Sequence, residues 1–180
     1  MHLCWGNYEG PHHRDVPLAD VIDLVFTAKP VAISLEAANP RHAHEWTLFE
    51  RVKLPDGKVL IPGVIESKSN FIEHPELIAQ RITRYANLVG RENVIAGSDC
   101  GFGTWVGQAA VDPDVVFAKL KAMADGAALA RGGIGHLVNG RLAGHRIHLA
   151  DRAVGIARVP DGARLVGDDV VRMGIAHLEL

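Results

Sequence analysis

A chain of 180 residues, 48% of them hydrophobic and 22% charged, is long enough to bury the core of one ordinary domain. Its formal net charge of −2 gives no electrostatic reason to expect nucleic acid or an anionic membrane as partner. No apolar run approaches the roughly 20 residues that cross a bilayer, and the start lacks the basic and apolar regions of a signal peptide. We therefore expect a cytoplasmic location.

Short β-type runs alternate with amphipathic stretches along the first 131 residues. The predicted strands are “HLCWGN” (2–7), “VAISLEAAN” (31–39), “VLIPGVI” (59–65) and “NVIAGSDCGF” (93–102). The predicted helices are 15–28, 39–52, 74–90 and 112–130, several of them with a proline near the start, where proline is favoured. A strand followed by a helix, four times over, predicts an α/β fold with a parallel sheet.

After residue 131 this alternation stops. Residues 132–180 are rich in Arg, Gly and His, with weak periodicity and no clear helix caps. We therefore divide the chain into a domain of βα units, residues 1–131, and an atypical C-terminal tail, residues 132–180.

Candidate metal ligands fall where the predicted strands end, which is where parallel α/β proteins collect their chemistry. The first strand offers His2 and Cys4, which share a face, the second offers Glu36, and the fourth offers Asp99 and Cys100. One imidazole, two thiolates and one carboxylate suit Zn²⁺, and the sulfur ligands disfavour magnesium and calcium. From the residues alone, two alternatives stay open: cysteines buried as inert packing or joined in a disulfide, and a solvated loop carboxylate at Glu36.

Several stretches resemble one enzyme family. They are “HLCWGNY”, “SLEAANPRHAHEW”, “LPDGKVLIPGVI”, “EHPELIAQRI” and “LVGRENVIAGSDCGFGT”. From residue 2 to about 130 the chain resembles the C-terminal catalytic domain of cobalamin-independent methionine synthase and its smaller relatives, the epoxyalkane:coenzyme M transferases among them. The family fold is a (βα)8 barrel, so the resemblance implies a partial TIM-type barrel of about four βα units.

The same resemblance implies a zinc ion held by His2, Cys4, Glu36 and Cys100, and a proton donor at His74. It also implies zinc-dependent transfer of a methyl or alkyl group to a thiol, homocysteine or another small thiol, as in methionine biosynthesis. The expected partners are that thiol and an alkyl or methyl donor.

The family's barrel begins well before the strand that carries its His-x-Cys pair. We therefore expect either a half-barrel that pairs with a second copy or a complementing chain, or a truncated, catalytically incomplete zinc-binding fragment. A non-metal α/β protein with buried cysteines is a further alternative.

Three other residues carry expectations. His42 and His44 lie two apart in a predicted helix and do not share a face, so we expect both at the surface. Asp99 is expected either to orient a metal ligand or to cap the turn that follows it.

Overall fold

The computed structural model describes residues 1–103 and 111–138, with side chains up to residue 132. Four parallel strands form its sheet in the order β1-β2-β3-β4. They are β1 (His2–Leu3), β2 (Ala32–Leu35), β3 (Val59–Ile65) and β4 (Gly97–Ser98). The prediction of an α/β fold with a parallel sheet is confirmed, although β1 and β4 are shorter than the apolar runs that predicted them.

In the described part of the chain, three α-helices lie between or after the strands. They are α1 (Leu18–Phe26), α2 (Pro75–Val89) and α3 (Pro113–Val138). Helix α1 buries Leu18, Ile22 and Val25, whose helical spacing puts them on one face. Helix α2 begins behind a cap at His74 and ends at Gly90, whose φ of 89° suits glycine. Among the described helices, none is long and apolar enough to cross a membrane.

The core lies on the inner strands and the helices that cover them. Ile33 and Leu35 of β2 and Leu60 of β3 are almost fully buried, which is typical of parallel strands that are covered on both faces. They pack in one cluster with the apolar face of α1 and with Phe49 and Tyr85. A second cluster joins Val64 and Ile65 of β3 to helices α2 and α3.

The predicted helix 39–52 is wrong in its first half. Residues 39–44 form turns, and only Glu45–Glu50 forms a helix, of the tight 3₁₀ type. The Asn39 side chain accepts hydrogen bonds from the backbone N–H groups of Arg41 and His42, as a helix N-cap does, but bonds that follow, such as Glu45 N–H to the His42 carbonyl, join residues only three apart. His44 is exposed as expected, but His42 is buried, so its surface placement is corrected.

Most of the predicted tail, residues 132–180, lies outside the described residues. Helix α3 runs to Val138, past the boundary placed at residue 131. The division into two parts therefore stays a prediction.

Candidate metal centre

Three of the predicted ligands converge at the carboxyl end of the sheet. One ligand atom each from His2, Cys4 and Cys100 lies within 4.8 Å of the other two. The His2 Nε2 atom is 3.3 Å from the Cys100 Sγ atom, although 98 positions separate them in the sequence. Since β1 and β4 are the two outer strands of the sheet, the sheet must curve for their ends to meet.

Glu36, the fourth predicted ligand, lies beside this group at the end of β2. Its Oε1 atom accepts a hydrogen bond from the Cys100 thiol at 3.2 Å, and only 1% of the residue is exposed. Glu36 is not part of the cluster whose members are all mutually close; it contacts Cys100 through Oε1, and its Oε2 atom is 3.4 Å from the Asn39 Nδ2 atom. All four predicted ligands therefore occupy one region, with the carboxylate at its inner side.

The electrostatics of this region oppose a negative charge on the Cys100 thiol. Burial raises the pKa of the Cys100 thiol, and the neighbouring Glu36 and Cys4 raise it further. Burial also lowers the pKa of His2, although Glu36 opposes that shift. Neutral imidazole is the form that binds a metal, and a bound cation would offset the repulsion between two thiolates and a carboxylate.

His2 is oriented by a neighbouring strand. Its Nδ1 atom is 3.0 Å from the hydroxyl oxygen of Ser34 on β2, which leaves Nε2 facing Cys100. A hydrogen bond to the second ring nitrogen is the usual way in which proteins fix a metal-binding histidine.

Asp99 holds the turn that carries Glu36. Its carboxylate accepts the backbone N–H groups of Ala37, Ala38 and Asn39 at 2.8 Å each, and the Asn39 side-chain amide at 3.1 Å. Burial raises the pKa of Asp99, and these N–H donors oppose that shift. These contacts join the end of β4 to the residues after Glu36, and the role of Asp99 in orienting a metal ligand stays a prediction.

The neighbouring strand makes room for this carboxylate. A Cβ atom at Gly63 of β3 would lie 1.9 Å from the Asp99 Oδ1 atom, so only glycine fits there. The glycine in “LIPGVI” is therefore part of the support for the site.

His74, the predicted proton donor, lies on a different loop. Its Nδ1 atom accepts the backbone N–H of Glu76 and caps helix α2. This bond places the ring proton on Nε2 and leaves the imidazole exposed. The cap is a structural role, and the catalytic role of His74 stays a prediction.

A buried network beside the site was not predicted from the sequence. His42 lies between two carboxylates, with Nε2 3.0 Å from Asp15 Oδ2 and Nδ1 2.9 Å from Glu45 Oε2, and its ring stacks on Trp5. His12 adds a second contact to Asp15 at 2.8 Å. Burial lowers the pKa of His42, but the bonds to Glu45 and Asp15 raise it to a net value above 6.5. The three-residue spacings in “HHRD” (His12 to Asp15) and “HAHE” (His42 to Glu45) are the only sequence signal for this network.

Comparisons with known proteins show a related fold. No family model and no curated protein matches the chain. Among the solved structures, 11 chains match. One is a B12-independent methionine synthase from Shewanella sp. W3-18-1, in complex with selenomethionine, with 22% sequence identity and a TM-score of 0.58. The match covers 75% of this chain and 39% of the synthase, so the chain spans well under half of that protein.

We predict that Asp99→Asn lowers the free energy of unfolding by about 1–3 kcal/mol. Both carboxylate oxygens accept N–H groups, so in either orientation the new amide NH₂ would face other donors. Urea unfolding measures the loss. The matched control is Asp23→Asn on the exposed face of α1, which should change stability by less than about 0.5 kcal/mol. Equal stability of Asp99→Asn and the wild type would contradict the role of Asp99.

The His42 network predicts a pH dependence of stability. Because the pKa of His42 is raised on folding, its contribution is fully present below pH 6.5 and is lost as the pH rises through the higher folded value. The stability difference between wild type and His42→Gln should therefore shrink as the pH rises above 6.5. Denaturant unfolding at several pH values measures it, with the exposed His44→Gln as control. A difference that does not vary with pH would show that His42 is neutral in this network.

Proposed function

We propose that this chain binds zinc through His2, Cys4, Glu36 and Cys100 and transfers a methyl or alkyl group to a small thiol. The observation that carries the proposal is the clustering of the first, second and fourth of these ligands within 4.8 Å, with Glu36 in contact with Cys100. Sulfur, imidazole and carboxylate donors together are the set that zinc prefers.

The surroundings of the ligands support zinc over a merely packed pair of cysteines. Cys4 is exposed, whereas a cysteine that serves only as packing is normally buried. The hydrogen bond between His2 Nδ1 and the Ser34 hydroxyl holds the imidazole in one orientation, which inert packing does not require.

The chemistry follows from these positions. Bound zinc would supply a cation that favours the thiolate form of an incoming thiol, the nucleophilic form. The thiolate sulfur forms a bond to the alkyl carbon, and the electron pair of the broken bond leaves with the donor's nitrogen or oxygen. In the proposal, His74 is the proton donor to that leaving atom; an imidazole donates as the imidazolium, so the bond that Nδ1 accepts from the Glu76 N–H must open first. Glu36, the hardest of the four predicted ligands, would be the group to move aside for the substrate sulfur.

The fold likeness also supports this proposal. The similar structure is that of a methionine synthase in complex with selenomethionine. The meeting of the ends of β1 and β4 fits the curvature of a barrel wall. We therefore extend the proposal to a partial (βα)8 barrel whose site lies at the carboxyl ends of the strands.

Metal content and transfer activity test this proposal together. We expect about one zinc per chain after reconstitution, and its loss in His2→Gln and Cys100→Ser, because each removes a donor. The exposed His44→Gln should retain the metal. Zinc is measured by elemental analysis, and transfer is measured as thioether formed from 2-mercaptoethanol with methyl iodide or 1,2-epoxypropane, above the uncatalysed rate.

The zinc content and the thioether yield together distinguish the proposed enzyme from an incomplete fragment and from a non-metal protein. Zinc binding with no zinc-dependent thioether formation would indicate an incomplete fragment. Failure of the wild-type protein to retain zinc would contradict the whole proposal and favour a non-metal α/β protein.

A further inference from the structure

Lys119 is a fully buried lysine on helix α3. It is 0% exposed, although an ammonium group loses its hydration on burial and lysine is almost never buried without a partner. Its Nζ atom donates a hydrogen bond to the Glu73 Oε2 atom at 2.8 Å, and the Glu73 side chain is 9% exposed. A buried ion pair of this kind is often no more stabilising than two apolar side chains of similar size. Stability alone therefore does not explain the pair.

Glu73 connects the two ends of one loop. This loop, residues 66–74, joins β3 to α2, and we name it the β3–α2 loop. The Glu73 Oε1 atom accepts the backbone N–H of Glu66 at 2.8 Å, so the last part of the loop is bonded to its first residue. The Glu66 carboxylate accepts the backbone N–H groups of Lys68 and Ser69. The ion pair with α3 thus anchors a loop whose base is closed by hydrogen bonds.

The same loop is bonded to the segments that carry the candidate cysteine ligands. Ser67 Oγ donates to the Asn7 Oδ1 atom at 3.0 Å, and Asn7 Nδ2 donates to the Gly101 carbonyl oxygen at 2.8 Å. Asn7 lies three residues after Cys4, and Gly101 directly follows Cys100. The first part of the β3–α2 loop is therefore held beside the candidate metal centre.

The other end of the loop carries His74, directly after Glu73. Between the two ends, Phe71 and Ile72 are 84% and 51% exposed, so these apolar side chains do little to fix the loop by burial. The position of the loop therefore depends on the hydrogen bonds at its base.

The effect of removing the ammonium group follows from these contacts. Without Lys119, the Glu73 carboxylate would be buried without a cation, which is costly. The carboxylate would turn toward water and release the Glu66 N–H, and the end of the loop would move with it. His74 would lose its place, whereas the metal ligands lie on other segments and would stay.

We propose that Lys119 is a positioning residue that acts through Glu73 to hold His74 beside the candidate metal centre. The inference rests on the proposed function and adds a residue of helix α3 to it. The step that it serves is proton donation. As the thiolate sulfur forms its bond to an epoxide carbon, the carbon–oxygen bond breaks and the oxygen takes the proton from His74.

Two alkyl donors separate proton donation from the rest of the reaction. Opening of 1,2-epoxypropane needs a proton at the leaving oxygen, whereas methyl iodide releases iodide, which needs none. Thioether formation from 2-mercaptoethanol is measured with each donor, on the zinc-loaded full chain. In Lys119→Met we expect kcat with the epoxide to fall about tenfold or more. The KM of the thiol, the rate with methyl iodide and the zinc content should stay as in the wild type.

Lys121→Met is the matched control. Lys121 lies on the same helix and pairs with Asp125 at 2.7 Å, but it is exposed, so its removal should leave both rates unchanged. His74→Gln should show the same selective loss, and adding Lys119→Met to it should cause little further loss, because both act on one step. If Lys119→Met fails to fold, its combination with Glu73→Gln removes both buried charges and should show the selective loss.

The possible results lead to different conclusions. An equal loss with both donors, or no loss with the epoxide, would overturn the positioning inference and leave the proposed function intact. Transfer by the wild type from methyl iodide alone would also overturn it, because there would be no proton donation to position. If the wild type catalyses transfer from neither donor, the proposed function and this inference fall together.

Discussion

The carboxylate of Asp99 joins two parts of the chain on which the whole candidate site depends. It comes from the end of β4 and accepts three consecutive backbone N–H groups from the turn after β2. A buried carboxylate without such partners would be costly, and three N–H groups without an acceptor would also be costly. The Asp99 carboxylate and the three N–H groups therefore stabilise each other, and their hydrogen bonds keep Glu36 in contact with Cys100.

This one contact has consequences on both sides of the turn. On one side it places the Glu36 carboxylate next to the thiols, where His2 and Cys4 arrive from β1. On the other side it fixes Asn39, whose side-chain amide nitrogen is 3.1 Å from Asp99 and 3.4 Å from Glu36. The candidate metal ligands and the turn after β2 thus share a single support.

Much of the fold and part of the candidate site could be predicted from local patterns in the sequence. Buried strands and amphipathic helices have distinct periodicities, so β2, β3, α1 and α2 lie within their predicted ranges. His2, Cys4 and Cys100 follow from the rule that parallel strands bring their carboxyl ends together. Long-range side-chain contacts leave no local pattern, which is why the bonds from Asp99 to the turn after β2 could not be predicted and two other roles stayed open for this residue.

The errors have different origins. The segment after Asn39 has helical spacing, but bonds such as Glu45 N–H to the His42 carbonyl and Thr47 N–H to the His44 carbonyl join residues three apart, and an apolar spacing does not distinguish such a 3₁₀ turn from an α-helix. The spacing of His42 and His44 predicts a surface position for both. His42 is buried instead, because it contacts Asp15 and Trp5, which lie in a segment far from it in the sequence. Burial of a polar residue depends on such partners, and these cannot be identified from neighbours in the sequence.

The most direct test of the central claim is X-ray absorption spectroscopy at the zinc edge of the reconstituted protein. The account predicts two sulfur neighbours at about 2.3 Å together with nitrogen or oxygen neighbours at about 2.0–2.2 Å. A zinc environment with no sulfur, or with a single sulfur, would contradict the convergence of Cys4 and Cys100 on one ion.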